Sequence, residues 1–551
     1  MNLILKASII FLFISLNGFS QIAPNKYFIQ FADKNGTPYS VSNPEQFLSL
    51  RAIQRRQNQN IAIVQNDLPI NPTYIDSLKS LGLTIINKSK WLNGVQVYTT
   101  DTLLIDTISN LSFVQSYTKS HILKLQKNGQ TQENIIVNLR NTAQTNNYYD
   151  YGQATNQITM LNGHILHNQG YRGNGIIISI FDAGFYKVDS MPAFDSLWTN
   201  NQILGSKDFV DGDTIVWDAS THGLAVLSTI GANMSGSFVG TAPEAKFYLF
   251  RTEDTGSELV VEEYNWLSAA EYADSLGTDL ISTSLGYTVF DDNLTSHSYS
   301  DMDGNTTVIT RAADIAASKG IIVVASAGNS GSSSWHFIGA PADADSILTV
   351  GAVDAYGNYA SFSSTGPTYD GRVKPNVVAQ GQSTTIIDAG GNVSAGNGTS
   401  FSCPVIAGLT ACLWQSSPNL TNMQIIKAIE QSASKYSNPD SLFGYGIPDF
   451  AYANLILHGV DYNKTNTENL INVFPNPFVK NIYLEYYSTD TQFVYFKIFD
   501  IIGNIVYKSN TQVFADIYNK FYIDLSNLKS GIYFLNINTN NNIYTKKIIK
   551  K

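Results

Sequence analysis

The chain has 551 residues, a formal net charge of −10 and only 14% charged residues. This length predicts two or three domains with a large core, and the lack of basic blocks argues against a nucleic-acid-binding protein. The two cysteines, Cys403 and Cys412, would lie roughly 13 Å apart on one predicted helix. That separation is too long for a disulfide bond.

Residues 1–20 have the pattern of a signal peptide. Lys6 supplies a positive charge, Ala7 to Leu16 is apolar, and small residues precede a cut at Gln21. The alternative is an N-terminal membrane anchor, but the apolar run is short for a bilayer span. We therefore expect an exported protein with no transmembrane helix in the mature chain.

Residues 21–157 are predicted to form a small α+β domain followed by a connector. Two α/β halves on one sheet predict a ferredoxin-like layout, and the connector, residues 125–157, is rich in Gln, Asn and Thr, which favours an exposed, cleavable segment. The predicted strands are 26–31, 83–86, 95–99 and 113–117. Three helices are predicted: the first starts at Ser42-Asn43-Pro44 and runs through Ile53, the second covers 73–81 and the third covers 102–108.

Residues 158–460 are predicted to form an α/β domain with a doubly wound, mainly parallel sheet. Its strand candidates are nearly continuous apolar runs, which is typical of a sheet buried on both faces. The strands are predicted at 176–181, 247–251, 280–284, 321–325 and 347–353, and the helices at 222–230, 259–276, 308–319 and from Ser400 through 405–414. Ligands of such sheets bind at the carboxyl ends of the strands.

A polar linker, residues 461–471, precedes a third domain at residues 472–551. Short strands at regular spacing predict a small β-sandwich there. They are predicted at 483–487, 494–498, 505–507, 521–523, 533–537 and 544–549.

Ser400 lies in a run of small residues, Gly398 to Pro404, at the predicted start of a buried helix. A serine there has a free backbone N–H and faces the positive end of the helix dipole. Such a serine is suited to act as a nucleophile beside half of an oxyanion hole. The alternative is an ordinary serine N-cap on a core helix.

Three further polar residues stand where predicted strands end or helices begin. Asp182 ends an apolar strand, His222 opens a helix, and Asn329 follows the strand 321–325 through a Gly-containing turn. Each also has an ordinary structural interpretation: Asp182 as a capped turn residue, His222 as a structural histidine and Asn329 as a turn residue. Together with Ser400 they supply the acid, base, nucleophile and oxyanion donor of acyl transfer.

The order Asp, His, Ser along the chain is that of subtilisin. An α/β-hydrolase esterase is the competing class, but it requires Gly-x-Ser-x-Gly with the acid after the serine. Here Ser402 occupies the last glycine position and Asp182 comes first.

With these motifs, residues 158–459 resemble the subtilisin-like (subtilase) serine proteases. The matching segments are Ile180–Gly184, Thr221–Gly223, Thr241–Ala245, Ser284–Gly286, Ala327–Asn329, Ser361–Pro367, Asp370–Arg372, Lys374–Pro375 and Gly398–Ser400. The resemblance implies a secreted serine endopeptidase with Asp182, His222 and Ser400 as the triad and Asn329 as the oxyanion donor. Its residues for binding an extended peptide would be Ser284, Leu285, Gly286, Ala325, Ser326, Ala327 and Gly328.

The resemblance also covers the flanking regions. Residues 21–157 look like the inhibitory propeptide of the family, which implies self-maturation from a proenzyme. Residues 472–551 resemble the C-terminal sorting domain of the type IX secretion system, which implies outer-membrane secretion machinery as a partner and a location outside the cell or on its surface. Departures from the family pattern at Ala225, Asn376 and Gln380 affect local packing and metal content, not the triad.

No cofactor is required for this chemistry, and a structural calcium ion is compatible with the resemblance. Two acidic loops offer candidate ligands, namely Asp301, Asp303 and Asn305 in one and Asp208, Asp211 and Asp213 in the other. Both lack the closing glutamate of an EF-hand loop, so solvated acidic turns are the favoured interpretation.

The competing function is a catalytically idle surface protein whose C-terminal domain does the binding. All four catalytic positions are filled, which argues against it. The sequence predicts neither the residue preference at the cleaved bond nor the natural substrate.

Overall fold

The computed structural model describes residues 26–120, 147–458, 471–488, 492–513, 517–540 and 543–551. The predicted signal peptide, most of the predicted connector and almost all of the predicted linker lie outside these ranges. Within them, no helix is both long enough and apolar enough to cross a bilayer.

The first region contains a four-stranded antiparallel sheet in the order β2-β3-β1-β4. This is the predicted ferredoxin-like order, with α2 and α3 packed against one face. Its elements are β1 (Lys26–Phe31), α1 (Leu50–Asn58), α2 (Pro72–Ser80), β2 (Thr84–Ser89), β3 (Gly94–Tyr98), α3 (Thr102–Ile108) and β4 (Val114–Lys119).

One helix prediction in this region was wrong. The segment that starts at Ser42-Asn43-Pro44 forms only a 3₁₀ turn, Pro44–Gln46, and the helix α1 begins at Leu50. Ser49 is the N-cap, because its side chain accepts a hydrogen bond from the N–H of Ala52.

The second region is built on a seven-stranded sheet, and every recorded strand pair is parallel. Its order is β13-β12-β11-β10-β5-β9-β6, so the chain switches sides between β5 and β10, and such a switch point opens a crevice. The seven strands are β5 (Ile177–Asp182), β6 (Ile203–Asp208), β9 (Lys246–Arg251), β10 (Leu280–Thr283), β11 (Ile322–Ser326), β12 (Leu348–Val353) and β13 (Val377–Gln380).

Helices cover both faces of this sheet, as the doubly wound fold predicts. Ile178 and Ile180 of β5 face the core shared with α7 and α10, whereas Phe181 faces the core shared with α8 and α9. The helices are α4 (Thr155–Thr159), α5 (Gly163–Asn168), α6 (Asp195–Thr199), α7 (His222–Gly231), α8 (Val261–Leu276), α9 (Val308–Ser318), α10 (Thr399–Ser416), α11 (Asn422–Ser432) and α12 (Phe450–Leu457).

Two short hairpins complete this region, β7–β8 (Asn233–Met234 and Phe238–Val239) and β14–β15 (Thr384–Ile387 and Val393–Gly396). Neither hairpin was predicted from the sequence, and β6 and β13 were not predicted either. Cys403 and Cys412 lie on α10, and both are buried and free.

The third region packs two antiparallel sheets around one apolar core, as predicted for a β-sandwich. The sheets have the orders β16-β17-β20 and β19-β18-β21-β22. The strands are β16 (Ile471–Phe474), β17 (Asn481–Ser488), β18 (Gln492–Phe499), β19 (Ile505–Val513), β20 (Ile517–Asp524), β21 (Gly531–Asn538) and β22 (Ile543–Lys550).

Candidate active site

Asp182 is the last residue of β5, at the carboxyl edge of the parallel sheet and at its switch point. The side chain is fully buried, and Oδ1 accepts hydrogen bonds from the N–H of Ala183 and from the His222 ring, each at 2.8 Å. A buried carboxylate is costly unless it is paired. The pairing with His222 therefore explains how a charge is tolerated at the end of so apolar a strand.

His222 is the first residue of α7, and its Nδ1 meets Asp182 Oδ1 at 2.8 Å. The side chain is 32% exposed, so the opposite edge of the ring reaches the surface. Burial alone would lower the pKa of His222, but the charge of Asp182 and the hydrogen bond to it raise that pKa above its ordinary value. This is the relation of a general base to the carboxylate that orients it.

Ser400 is the second residue of α10. The N–H groups of a helix's first turn have no partner within the helix, so the Ser400 N–H is available to a ligand. Gly398 before it has φ +149°, a backbone conformation that favours glycine. In the conformation observed, the Ser400 hydroxyl donates to the carbonyl of Ser284 at 3.4 Å rather than to His222, and such looseness is common in active sites without substrate.

Pro404 leaves the Ser400 carbonyl without its usual donor within the helix. Within a helix its nitrogen would donate to the carbonyl of Ser400, but proline has no N–H. The Ser284 hydroxyl donates to that carbonyl instead, at 2.9 Å, and so ties the start of α10 to the end of β10. This contact between Ser284 and the Ser400 carbonyl was not predicted from the sequence.

Asn329 follows β11, and its side chain has a defined orientation. Its Oδ1 accepts from the Thr399 N–H at 2.8 Å and from the Thr399 hydroxyl at 3.1 Å. The amide nitrogen Nδ2 is therefore not engaged by Thr399 and lies near Gly398. A Cβ atom built on Gly398 would lie 3.5 Å from Asn329 Nδ2 and 3.6 Å from the Ser400 nitrogen, so the two donors flank one small space. Thr399 was part of the Gly398–Ser400 motif, but its positioning role was not predicted.

The predicted peptide-binding residues fall into two groups. Ser284, Leu285 and Gly286 follow the end of β10 at Thr283, and the recorded strand pairing of β10 ends at that residue. A Cβ atom built on Gly286 would lie 3.8 Å from the Ala340 carbonyl oxygen, its nearest non-neighbouring atom. This stretch leaves room for an added strand.

The second group, Ala325 to Gly328, is more occupied. Ala325 belongs to the apolar core, and Ser326 ends β11 and is buried. The Ala327 N–H donates to the Val350 carbonyl at 2.9 Å. Gly328 donates to the Thr399 hydroxyl and accepts from Ser364. These residues form a wall beside Asn329 whose backbone groups are largely paired within the protein.

The carboxylates of the two candidate acidic loops accept hydrogen bonds from their own turns or pair with Arg251 of β9. Asp303 accepts from Asn305 and Thr306, and Asp301 accepts from Ser298. In the other loop Asp208 and Asp211 pair with Arg251 at 2.7 and 2.6 Å, and Asp213 accepts from the Ile215 N–H.

An acidic group that the sequence analysis missed has better ligand spacing. Within the described ranges, Glu253, Glu258 and Glu262 each bring a carboxylate oxygen within 4.8 Å of the other two. Burial and neighbouring carboxylates raise the pKa of Glu253 and of Glu262. Oxygen atoms at this spacing could share a calcium ion.

Comparison with family models assigns all three regions. Residues 173–446 match the model of the subtilase family, and residues 26–135 match the peptidase S8 propeptide domain of Bacteroidota. Residues 472–551 match the secretion system C-terminal sorting domain. The last match indicates export to the cell surface or secretion.

Curated relatives agree with this assignment. Subtilisin E of Bacillus subtilis (strain 168) is 33% identical over 304 residues, which cover 54% of this chain and 70% of that protein. Subtilisin of Bacillus pumilus is 33% identical over 295 residues, which cover 53% of this chain and 94% of that protein. Among solved structures, MycP3 protease from the type VII (ESX-3) secretion system is 20% identical with a TM-score of 0.44, covering 55% of this chain and 88% of that one.

The chain therefore belongs to the subtilase family and is a serine endopeptidase with a family propeptide domain and a type IX C-terminal sorting domain.

Proposed function

We propose that the protein cleaves peptide bonds through an acyl-enzyme, with Asp182, His222 and Ser400 as its triad. The observation that carries the proposal is the 2.8 Å contact between buried Asp182 and His222. The His222 ring also lies 6.1 Å from the ring of Phe401, the residue after Ser400 at the start of α10. A change of the Ser400 side-chain rotamer brings its hydroxyl to the base. His222 then takes the hydroxyl proton as the oxygen attacks the carbonyl, and Asp182 stabilises the imidazolium.

The Asn329 amide and the Ser400 N–H would donate to the oxyanion of the tetrahedral intermediate. Both donors flank the space above Gly398, and Thr399 holds the Asn329 amide in this orientation. Donors that are already aimed at developing charge need no reorganisation during the reaction.

The substrate would be an extended segment of protein or peptide, bound as an added strand along Ser284 to Gly286. Backbone pairing of this kind binds many sequences, and side-chain pockets then set the preference. Hydrolysis of a casein-type substrate by the purified, matured chain tests the function. Hydrolysis that persists at the same rate in a Ser400→Ala chain purified in the same way would exclude Ser400 as the nucleophile.

Asn329→Leu is expected to lower kcat about 10²–10³-fold, the loss found for this donor type in subtilisin. Leucine has a similar volume but cannot donate, so KM should change little, because the contact is made chiefly in the transition state. Steady-state kinetics on a peptide substrate give both constants. Asn392→Leu, at an exposed turn, is the control, and a defect of Asn329→Leu confined to KM would make Asn329 a turn residue only.

We further propose the division of the chain into a signal peptide (1–20), a propeptide and connector (21–157), a peptidase domain (158–460), a linker (461–471) and a sorting domain (472–551). The connector would be cut by the enzyme itself. Ser120, hydrogen-bonded to Lys26, ends the sheet of the first region, and Tyr148 is hydrogen-bonded to Asn168 of the second, so the described anchors on either side support a cut between them.

Deletion of residues 470–551 is expected to keep the protein inside the cell envelope without loss of its chemistry. None of the proposed catalytic residues lies in that region, whose own core is separate. Peptidase activity should therefore appear in the periplasmic fraction and disappear from the medium and the outer surface. Normal secretion of the truncated chain would show that the sorting domain is dispensable for export.

A further inference from the structure

The cleft loop, residues 287–298, continues the backbone along which the substrate would bind. It begins directly after Ser284–Gly286 and leads towards the start of α9. Its first residue, Tyr287, exchanges two backbone hydrogen bonds with Ala340, at 2.8 and 3.1 Å. The position of the proposed peptide-binding strand is therefore tied to the packing of this loop.

His297, near the end of the cleft loop, is joined to its beginning by contiguous contacts. The His297 N–H donates to the Thr288 carbonyl at 2.8 Å, which closes the loop on itself. The rings of Tyr287 and Phe290 are buried and stacked, with centroids 6.0 Å apart. The Phe290 ring in turn meets the His297 ring edge-on, with 5.3 Å between centroids. The position of His297 is therefore coupled to the residue next to the peptide-binding strand.

Glu263 of α8 anchors the cleft loop through His297. His297 Nε2 meets Glu263 Oε1 at 2.5 Å, and Glu263 Oε2 accepts from the N–H of Ile309 in the first turn of α9 at 3.2 Å. The Glu263 side chain is only 1% exposed. A carboxylate so deeply buried is costly unless it is paired, and a protonated imidazole supplies the opposite charge. One carboxylate thus joins α8, α9 and the cleft loop.

The charged groups around His297 come from three elements. Glu263 belongs to α8, Asp301 to the turn that follows the cleft loop, and Asp343 to the segment between β11 and β12. Burial would lower the pKa of His297, but the hydrogen bond to Glu263 and the charges of these three acids raise that pKa above its ordinary value. The ring therefore keeps its proton at pH values at which an ordinary histidine has lost it.

A second contact holds the tip of the cleft loop independently of His297. The Asp291 N–H donates to the Glu258 carbonyl at 2.9 Å, and the Glu258 N–H donates to Asp291 Oδ2 at 3.1 Å. Neither hydrogen bond uses a group that titrates near neutral pH. The loop should therefore stay folded when His297 loses its charge or is replaced.

We infer that His297 is a positioning residue for substrate binding, whose ion pair with Glu263 holds the cleft loop and thereby holds Ser284–Gly286 in the conformation that pairs with a peptide. A charge-assisted hydrogen bond is roughly twice as strong as a neutral one. Loss of the proton weakens the contact without removing it, so the loop should loosen as the pH rises above the pKa of His297. The inference deepens the proposed function and rests on it, because it concerns the strand that the proposed function uses.

The effect should fall on KM and not on kcat. A peptide pairs with Ser284–Gly286 in the ground state and in the transition state alike, and loss of such uniform binding raises KM. This separates His297 from His222, whose protonation removes the base and lowers kcat. Lowering the pH should therefore impair the function of His222, whereas raising it should impair that of His297.

The test measures kcat and KM across pH for the matured chain, freed of its prosegment (residues 26–120), on a chromogenic peptide that has no titratable group. His297→Gln keeps a donor towards Glu263 but never carries a charge, and His297→Leu has no donor. The matched control is His458→Gln, at an exposed position directly after α12. A fluorescent form of the peptide is also titrated with each variant in the Ser400→Ala background, where anisotropy gives Kd without hydrolysis.

In the wild-type and control chains, KM and Kd should be lowest where His297 is protonated and should rise about 10-fold above its pKa. In His297→Gln both constants should stay at the high-pH value of the control at every pH, with kcat unchanged. His297→Leu should raise both at least as much. A His297→Gln chain whose KM and Kd follow pH as the control does would overturn the inference, and this variant decides alone if His297→Leu does not fold.

The inference and the proposed function fail in different ways. A wild-type chain that binds the peptide with the expected pH dependence but does not hydrolyse it would overturn only the proposed function. Hydrolysis with a KM and a Kd that do not change with pH would overturn only the role of His297. A chain that neither binds nor hydrolyses the peptide would overturn both.

Discussion

Ser400→Ala is expected to lower kcat for peptide hydrolysis about 10⁶-fold, the order of loss found when the nucleophile of subtilisin is removed. Without the hydroxyl there is no acyl-enzyme, and only the oxyanion donors and substrate binding remain to assist water. The measurement is hydrolysis of a chromogenic peptide by the purified chain, from which the prosegment has been removed in the same way for each variant.

Ser402→Ala is the matched control for this substitution. Ser402 lies on the same helix, is also buried and donates to the Thr399 carbonyl at 3.2 Å. It should keep most of the activity. A Ser400→Ala chain that hydrolyses peptide as fast as Ser402→Ala would exclude Ser400 as the nucleophile.

Asp182→Asn is expected to lower kcat about 10⁴-fold with the fold intact. An asparagine amide facing His222 Nδ1 favours the tautomer that cannot accept the Ser400 proton, and it cannot stabilise the imidazolium. The acid limb of the pH profile should also move. Because Asp182 raises the pKa of His222, and only the neutral ring is a base, removing the charge should shift this limb to lower pH.

Asp189→Asn is the control, because it makes the same change of charge at an exposed position in the turn after β5. It should leave both kcat and the pH profile unchanged. If Asp182→Asn lowered thermal stability but left kcat and the acid limb at the control values, Asp182 would be a structural residue only.

The central sheet could be predicted because its strands are continuous apolar runs. The strands β5, β9, β10, β11 and β12 all lie where the sequence placed them, within a residue or two at each end. The edge strand β6 was missed because its residues are mostly half-buried and its apolar run is only Ile203-Leu204, followed by Gly205 and three polar residues. At the other edge, β13 is short and follows Pro375, which reads as a turn.

The helix at the start of the prosegment was misplaced for a local reason. Asn43 and Pro44 have the chemistry of a helix start, but the segment leaves the helical conformation at Phe47, and Ser49 provides the effective cap. Arg55 and Arg56 then face buried acids of the catalytic region. Sequence periodicity does not predict this pattern, because arginines at these positions normally indicate a solvated face.

The residues of the candidate site were predicted from their types and their order along the chain. The hydrogen bonds that position them could be identified only in the structure. Asp182 and His222 are 40 positions apart and could be paired only through family resemblance until their 2.8 Å contact was observed. The use of Thr399 to orient Asn329, and of Ser284 to replace the hydrogen bond that Pro404 lacks, depends on distances that no spacing rule supplies.

If Ser400 is the nucleophile of a peptidase that matures itself, the intact mass of the purified protein depends on Ser400. The wild-type chain and Ser400→Ala should be expressed separately, in a host whose own proteases do not cut the connector, and their termini read by mass spectrometry. We expect the wild-type chain to be cut between Ser120 and Ile158 and the Ser400→Ala chain to retain residues 21–120. A Ser400→Ala chain that shows the same cut would mean that Ser400 does not mature this protein.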